Sequence, residues 1–414
     1  MRLNNIMKNS LMLYIFNAER IVFPLILLPY LTKFLSTDSY AVYVYAYAMV
    51  SYLRLVVDFG FDFSATRDIA KEVEERMIRK IVTEVTASKV VLCVLGSIVI
   101  FFYAIIFQDK YVIENKLFFL LMCIEIFLEI FFLDFYFRGI EKMEIITIRY
   151  FIAKIIAIIL ILLSVKCDND LWHIPLCNVL GNTIGAILVF LQINPFSEFS
   201  MVSVSSNLIK QIRSSLKFFL TKITVSLFSF SNTIFLGRFA SPYDVAIWSL
   251  AINIISAIQS LYSPISNALF PAMSKKFDIS VIKKSLLLSL GFILILNTFL
   301  WLSSEPIIIY FFGETYARVS SLVNILLFML FFSVGISLFG WPVLGAVGGE
   351  KYMLYSTIIS ASFHVIGIFL LYNFEDFNAY TLSYLRVASE AVLFVLIIVF
   401  SRVYVKNLVK EEVK

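Results

Sequence analysis

Residues 146–165 read ITIRYFIAKIIAIILILLSV. The run is long enough to cross a bilayer as a helix, which takes about 20 apolar residues. It also carries Lys154 near its middle, where a Lys or Arg costs about 3 kcal/mol on insertion scales. An apolar span holding a charge is the pattern that recurs through the chain. Working outward from this stretch gives twelve such spans, at roughly 11–32, 40–60, 82–107, 117–137, 146–165, 171–192, 217–237, 244–270, 285–303, 319–340, 352–372 and 381–403.

Composition agrees. Of the 414 residues 60% are hydrophobic and only 15% charged, against about a quarter charged in a soluble domain. The expected class is an all-α polytopic membrane protein with twelve transmembrane helices. The segment 193–216 divides them six and six, which predicts two six-helix bundles over 1–200 and 201–414. Loops are otherwise short, the other long one being 61–81. Ser303 to Pro306 interrupts a long apolar region, so the ninth and tenth spans are the least well bounded. The turns LSTDSY (Leu35–Tyr40) and FASPYD (Phe239–Asp244) resemble one another, each ahead of an aromatic and small-residue run.

Orientation follows from loop charge. Of 34 Lys and Arg, six lie inside spans. Another six (Lys33, Lys110, Lys116, Lys166, Arg238, Arg318) fall on one side, and the remaining 22, Arg149 among them, on the side holding the termini. By the positive-inside rule both termini are expected in the cytoplasm.

The six intramembrane cations are Arg20, Arg54, Lys89, Lys154, Lys222 and Arg386. Unrelieved, they would cost roughly 15–20 kcal/mol. Their sign suggests an internal polar path for an anionic cargo. Arg54 with Asp58, and Arg386 with Glu390, are four apart and so share a helix face, which allows local pairing. Lys89 lies near the cytoplasmic end of its span and is expected to snorkel to the headgroups. Arg20, Lys154, Lys222 and Arg54 rank first as residues lining a cationic cavity. Glu125 and Glu129 lie one turn apart in the fourth span. Two readings stand for them: a proton-carrying pair, or partners of basic groups such as Lys154.

Other marks concern the scaffold. Pro24 and Pro29 in the first span and Pro264 in the eighth predict kinks, each removing a backbone donor, and a bent first helix suits a gate. Gly181 and Gly185 form a small-xxx-small pattern for close helix packing. The tyrosines between Tyr40 and Tyr52 suit either interfacial packing or stacking on sugar rings. Cys93, Cys123, Cys167 and Cys177 form no C-x-x-C pair, and His173 and His364 are far apart in sequence. No metal, cofactor or nucleic-acid site is expected, and no catalytic constellation is visible.

Longer segments carry a resemblance. DFGFDFSATRDIAK (Asp58–Lys71) and DFYFRGIEKMEIITIRY (Asp134–Tyr150) look like the signatures of the Wzx-type O-antigen flippases. These belong to the polysaccharide transporter branch of the multidrug/oligosaccharidyl-lipid/polysaccharide exporter superfamily. LGRFASPYDVAIWSLA (Leu236–Ala251), ALFPAMSK (Ala268–Lys275) and FFGETY (Phe311–Tyr316) are similar to later markers of that family. Tyr136 and Arg138 sit where the pattern has an aromatic residue and Gln, so Arg138 is the departure. The resemblance implies two bundles around a central cavity that opens alternately to either side of a bacterial inner membrane. It implies a cargo of polyprenyl-pyrophosphate-linked oligosaccharide, coupling to H+ or Na+, and cooperation with assembly proteins such as the polymerase. A capsule-repeat flippase or a multidrug antiporter of the same superfamily are the alternatives. A membrane-embedded O-antigen polymerase fits less well, since it needs a large periplasmic loop.

Overall fold

Ser36 opens the second helix. Its hydroxyl accepts a hydrogen bond from the Ser39 backbone N–H at 3.3 Å, which satisfies one of the free donors of a helix start. Ser241 accepts from the Asp244 N–H at 3.1 Å ahead of the helix Pro242–Lys275, with proline pre-set for the first helical position. The two similar turns of the sequence are thus two instances of one capping device.

The computed structural model describes residues 2–192, 208–226, 230–275, 277–346 and 348–412. Among these there is no strand, and ten helices are long and apolar enough to cross a membrane. By internal contacts the chain divides into two units, Met1–Ser226 and Leu227–Lys414. The boundary expected at 200 lies outside the described residues.

In the N-terminal unit the helices are α1 (Arg2–Phe34), α2 (Thr37–Asp58), α3 (Phe61–Lys71), α4 (Glu75–Ile106), α5 (Lys110–Glu114), α6 (Lys116–Glu129), α7 (Asp134–Gly139), α8 (Met143–Ser164), α9 (His173–Gln192) and α10 (Leu208–Ser226). Helix α8 packs on α1 and α9, α6 on α9 and α2, and α3 on α7. The α8–α9 pair is close because Gly181 has no side chain. A Cβ there would meet the Ala153 carbonyl oxygen at 2.4 Å, so the small residue is what lets the two backbones approach.

Three segments differ from expectation. The stretch 61–81 is helical rather than a loop: Gly60, at φ 80°, turns the chain, and α3 then buries Phe61, Ser64, Ala65 and Ile69 along one face. The fourth span is not one helix. Leu133 adopts a left-handed conformation at φ 54° and separates α6 and a short 3-10 turn from α7. The ninth helix runs through Pro306 as Ile279–Phe312, a proline membrane helices tolerate when neighbours satisfy the freed backbone groups.

The seventh expected span comprises the end of α10 and a short helix, α11 (Ser231–Phe239), with 227–229 outside the described residues. Pro24 and Pro29 lie inside α1, and Pro264 inside α12 (Pro242–Lys275); helical structure is continuous through each. In the C-terminal unit α13 (Ile279–Phe312), α14 (Val319–Phe339), α15 (Glu350–Asn373) and α16 (Ala379–Glu412) complete the order. Helix α14 is central, packed by α12, α13 and α16.

Burial separates lipid-facing from interior helices. Only 22% of the most apolar stretch of α4 and 17% of that of α13 is buried, whereas 61% is buried for α2. Exposed Val91, Val94, Leu95, Ile98 and Phe102 on α4 are what a lipid-facing surface requires.

Candidate functional site

Two carboxylates one turn apart on α6 are the start of the site. The Arg54 guanidinium on α2 meets Glu129 side-on, with Nε to Oε2 at 2.8 Å and Nη2 to Oε1 at 2.9 Å. This fork-to-fork geometry is the strong form of an Arg–carboxylate pair. Arg54 Nη2 also lies 3.9 Å from Glu125 Oε1. Lys154 on α8 approaches the same Glu125 oxygen at 3.7 Å and donates to Asn178 Oδ1 of α9 at 3.3 Å. A single chain of charges, Glu129–Arg54–Glu125–Lys154, therefore ties α2, α6 and α8 together, and Asn178 adds α9.

The chain is only partly covered. Glu125 is buried at 6% side-chain exposure, but Arg54 retains 37%. Arg20 lies exposed on α1, its guanidinium 5.7 Å from the Phe16 ring centre. Phe16 in turn meets Tyr150 edge-on at 5.2 Å. Tyr150 lies within electrostatic reach of Arg20, Lys154, Glu129 and Tyr47. Three cations, Arg20, Arg54 and Lys154, thus stand with Glu125 and Glu129 on one wall around Tyr150.

A second cluster closes the end of α2. Lys222 of α10 pairs with Asp58. Lys89 of α4 lies 3.6 Å from Asp58 and 3.8 Å from Asp62, and Arg138 of α7 lies 3.8 Å from Asp62. The ammonium groups of Lys89 and Lys222 also sit over the Phe135 and Phe63 rings, each at 5.2 Å. Helix α10 is held here by further contacts, a Ser64–Ser215 hydroxyl bond of 2.6 Å and a Phe59–Phe219 stack at 4.3 Å.

Four readings of the sequence change. Arg54 takes Glu129 and not Asp58, its neighbour on the helix, because Asp58 is held by Lys222 and Lys89. Lys222 is ion-paired rather than a free cavity charge. Lys89 does not snorkel: its side chain is 11% exposed and neutralised in place. Arg149, counted with the cytoplasmic loop charges, is buried at 3%, paired to Asp134 at 2.9 Å and stacked on Phe132 at 3.8 Å.

Asp62, Arg138 and Arg149 are the members that sequence reasoning missed. Asp62 had a signal, since DFGFDF places it four residues from Asp58 and hence on the same side of the turn. Arg149 had one too, standing inside the apolar run between Ile148 and Tyr150.

The C-terminal unit differs. Arg386 and Glu390 pair across one turn of α16 at 3.0 Å. Among the described residues its other buried polar groups are neutral. His364 bridges Asn232 Oδ1 at 2.7 Å and Ser389 Oγ at 2.8 Å, Tyr262 bonds Ser333, and Asn297 donates to the Leu327 carbonyl at 3.0 Å. Among the described residues no group of three His, Cys, Asp or Glu side chains is placed to hold a metal ion, and all four cysteines are free.

These features together define a class. The fold matches the Lipid II flippase MurJ in an inward closed conformation with a TM-score of 0.76, at 15% identity over 94% of this chain and 86% of that one. It matches an inward-facing multidrug resistance MATE family transporter of the MOP superfamily at 0.67, with 13% identity over 92% and 96%. A MOP superfamily transporter from Pyrococcus furiosus matches at 0.62, with 14% identity over 98% and 96%. The chain has the fold of these MOP superfamily proteins.

Within that class, residues 6–277 match the model of the polysaccharide biosynthesis protein family, and the chain belongs to it. Two curated relatives carry the name "Putative O-antigen transporter". That of Shigella dysenteriae is 29% identical over 276 residues, 65% of this chain and 67% of that protein. That of Escherichia coli K12 is 23% identical over 285 residues, 68% of each.

Proposed function

We propose that this protein is a flippase for a polyprenyl-pyrophosphate-linked oligosaccharide of the O-antigen repeat type. It carries the lipid-linked sugar from the cytoplasmic to the periplasmic leaflet of a bacterial inner membrane by alternating access, with both termini cytoplasmic. The observation that carries this reading is the charged wall of the N-terminal unit. Neither a pyrophosphate nor a sugar chain crosses hydrocarbon unaided, and Arg20, Arg54 and Lys154 gather three cations on this wall. A diphosphate arriving there exchanges its water for charge-assisted hydrogen bonds. Family membership and the names of the two relatives point the same way.

Coupling is assigned to the α6 carboxylates. Glu125 and Glu129 each depend on a cation that a diphosphate also attracts, so cargo arrival loosens their pairing and favours uptake of H+ or Na+. Lys222, pinned to Asp58, serves as a second cation released when α10 moves. The proline-bearing α1, with Pro24 and Pro29, and α12, with Pro264, are the candidate gating helices.

The test uses the purified protein in liposomes containing a polyprenyl-pyrophosphate oligosaccharide and a lectin outside. Faster appearance of lectin-accessible sugar than in protein-free vesicles, lost in Arg54→Ala, is the expected result. Equal rates with and without protein would overturn the reading.

A further inference from the structure

The tyrosines of α2 divide into two sets. Tyr40 and Tyr45 are fully buried, Tyr45 bonding Asp109 at 2.5 Å and stacking on Tyr111 at 4.5 Å. They are packing residues. Tyr47 is 47% exposed. Between Tyr40 and Leu53 every other side chain is buried or half-buried, so the helix has one opening and Tyr47 stands in it.

The neighbours identify that opening as wet rather than lipidic. Arg54 follows Tyr47 by seven residues, about two turns at 3.6 residues per turn, so both lie on one face. Arg54 is 37% exposed on that face, and a partly open guanidinium in mid-span has to face water or protein rather than acyl chains. Tyr47 lies within electrostatic reach of Arg54, Tyr43 and Tyr150. The Tyr43 and Tyr47 rings are 6.4 Å apart, tilted at 36°. An aromatic surface therefore adjoins the ion-paired cluster on the same wall.

We propose that Tyr47, backed by Tyr43 and Tyr150, is the sugar-binding platform of the N-terminal unit and helps to set specificity for the glycan. The inference rests on the flippase reading above and divides the cargo between two kinds of chemistry. Arg54, Lys154 and Arg20 hold the diphosphate. The open tyrosine face receives the sugar nearest to it, whose C–H face stacks on the ring while its hydroxyls stay hydrated. The phenol oxygen of Tyr47 adds a donor and acceptor beside that ring. A polar cargo uses both an amphipathic ring and an arginine exposed on one helix face.

The experiment compares two ligands on the full-length protein in nanodiscs. One is the polyprenyl-pyrophosphate oligosaccharide extracted from the cells that make this protein, and the other is the same lipid diphosphate without sugar. In Tyr47→Leu, which keeps apolar bulk but loses the aromatic face, affinity for the glycolipid is expected to fall about ten-fold or more, the scale of one stacking contact. Affinity for the sugar-free lipid is expected to change less than two-fold, and Tyr47→Phe is expected to regain most of the loss. Equal losses for both ligands, or no loss for either, overturn the proposal. Wild-type protein that binds neither lipid defeats the flippase reading itself, an outcome distinct from a variant that binds both unchanged. Monodisperse elution of Tyr47→Leu shows that the fold is kept.

Discussion

The two units solve the problem of polar groups inside a membrane in opposite ways. The N-terminal unit uses charge. Arg54, Lys154, Glu125 and Glu129 form one network across three helices, and Asp58, Asp62, Lys89, Arg138 and Lys222 another. The C-terminal unit uses neutral hydrogen bonds, His364 between Asn232 and Ser389, and Tyr262 to Ser333, with the Arg386–Glu390 pair confined to one helix. A scaffold can be satisfied with neutral groups, which avoid the desolvation cost of ions. The N-terminal charges are thus more than scaffold needs, and that asymmetry is the argument for placing cargo chemistry in this unit.

The strongest way to break the comparison is at Arg54. Arg54→Leu leaves Glu129 without its bidentate partner and Glu125 with Lys154 alone. Removing one member of such a buried pair costs about 3–5 kcal/mol, discounted here because Arg54 is more than a third exposed. Transport in liposomes is expected to be lost and thermal stability in detergent to drop. The double variant Arg54→Leu with Glu129→Leu should regain most of the stability and none of the transport. If transport returned with stability, the network would be structural only.

The α6 carboxylates sharpen the same point. Glu125→Gln with Glu129→Gln keeps size and hydrogen bonding while removing both negative charges. Transport is expected to lose its dependence on an imposed H+ or Na+ gradient, read by comparing rates with and without the gradient. Rates that still rise with the gradient would move coupling elsewhere.

What the sequence made legible was the property written in single residues and runs. Ten helices sit where apolar runs of bilayer length stand, and Gly181 and Gly185 pack as the small-residue pattern suggests. Partner choice was not legible. Spacing offers Arg54 only Asp58, but the partner it takes comes from α6, 75 residues on, because tertiary placement decides. Leu133 gives no sign that it will adopt positive φ and end a span, since leucine carries none of the turn preference of glycine or asparagine. The helix α3 was legible and missed. Its buried residues Phe61, Ala65 and Ile69 recur at four-residue intervals, a pattern hidden by the charges among them.

Close packing separates the units by a smaller amount. At Gly181 an added Cβ would press on the Ala153 backbone carbonyl, which cannot turn aside without moving α8. At Gly367 in the C-terminal unit the same atom would meet the Leu385 side-chain methyl at 2.3 Å, which can change rotamer. Gly181→Ala is expected to cost about 1–3 kcal/mol, the usual range for overpacking. Gly367→Ala should lie within about 1 kcal/mol of wild type, because better helix propensity offsets part of the strain. Thermal unfolding in detergent ranks the two, and equal shifts would show that the α8–α9 contact has more give than its geometry implies.

The smallest effect is expected at the Arg386–Glu390 ion pair of the C-terminal unit. Arg386 and Glu390 are 12% and 9% exposed and 3.0 Å apart, so their mutual pairing spans one turn of one helix. Glu390→Leu alone removes the carboxylate paired with a buried guanidinium that lies within electrostatic reach of His364, and is expected to destabilise. Replacing both removes the ionic desolvation along with the attraction, and a buried pair exchanged for apolar side chains of similar volume is often neutral or more stable. Arg386→Leu with Glu390→Leu is therefore expected to keep its melting temperature and its transport, where the matching double change at Arg54 and Glu129 keeps only the fold. A C-terminal double variant that folds but fails to transport would place cargo or coupling chemistry in this unit as well. The asymmetry would then lie in the number of charges and not in their function.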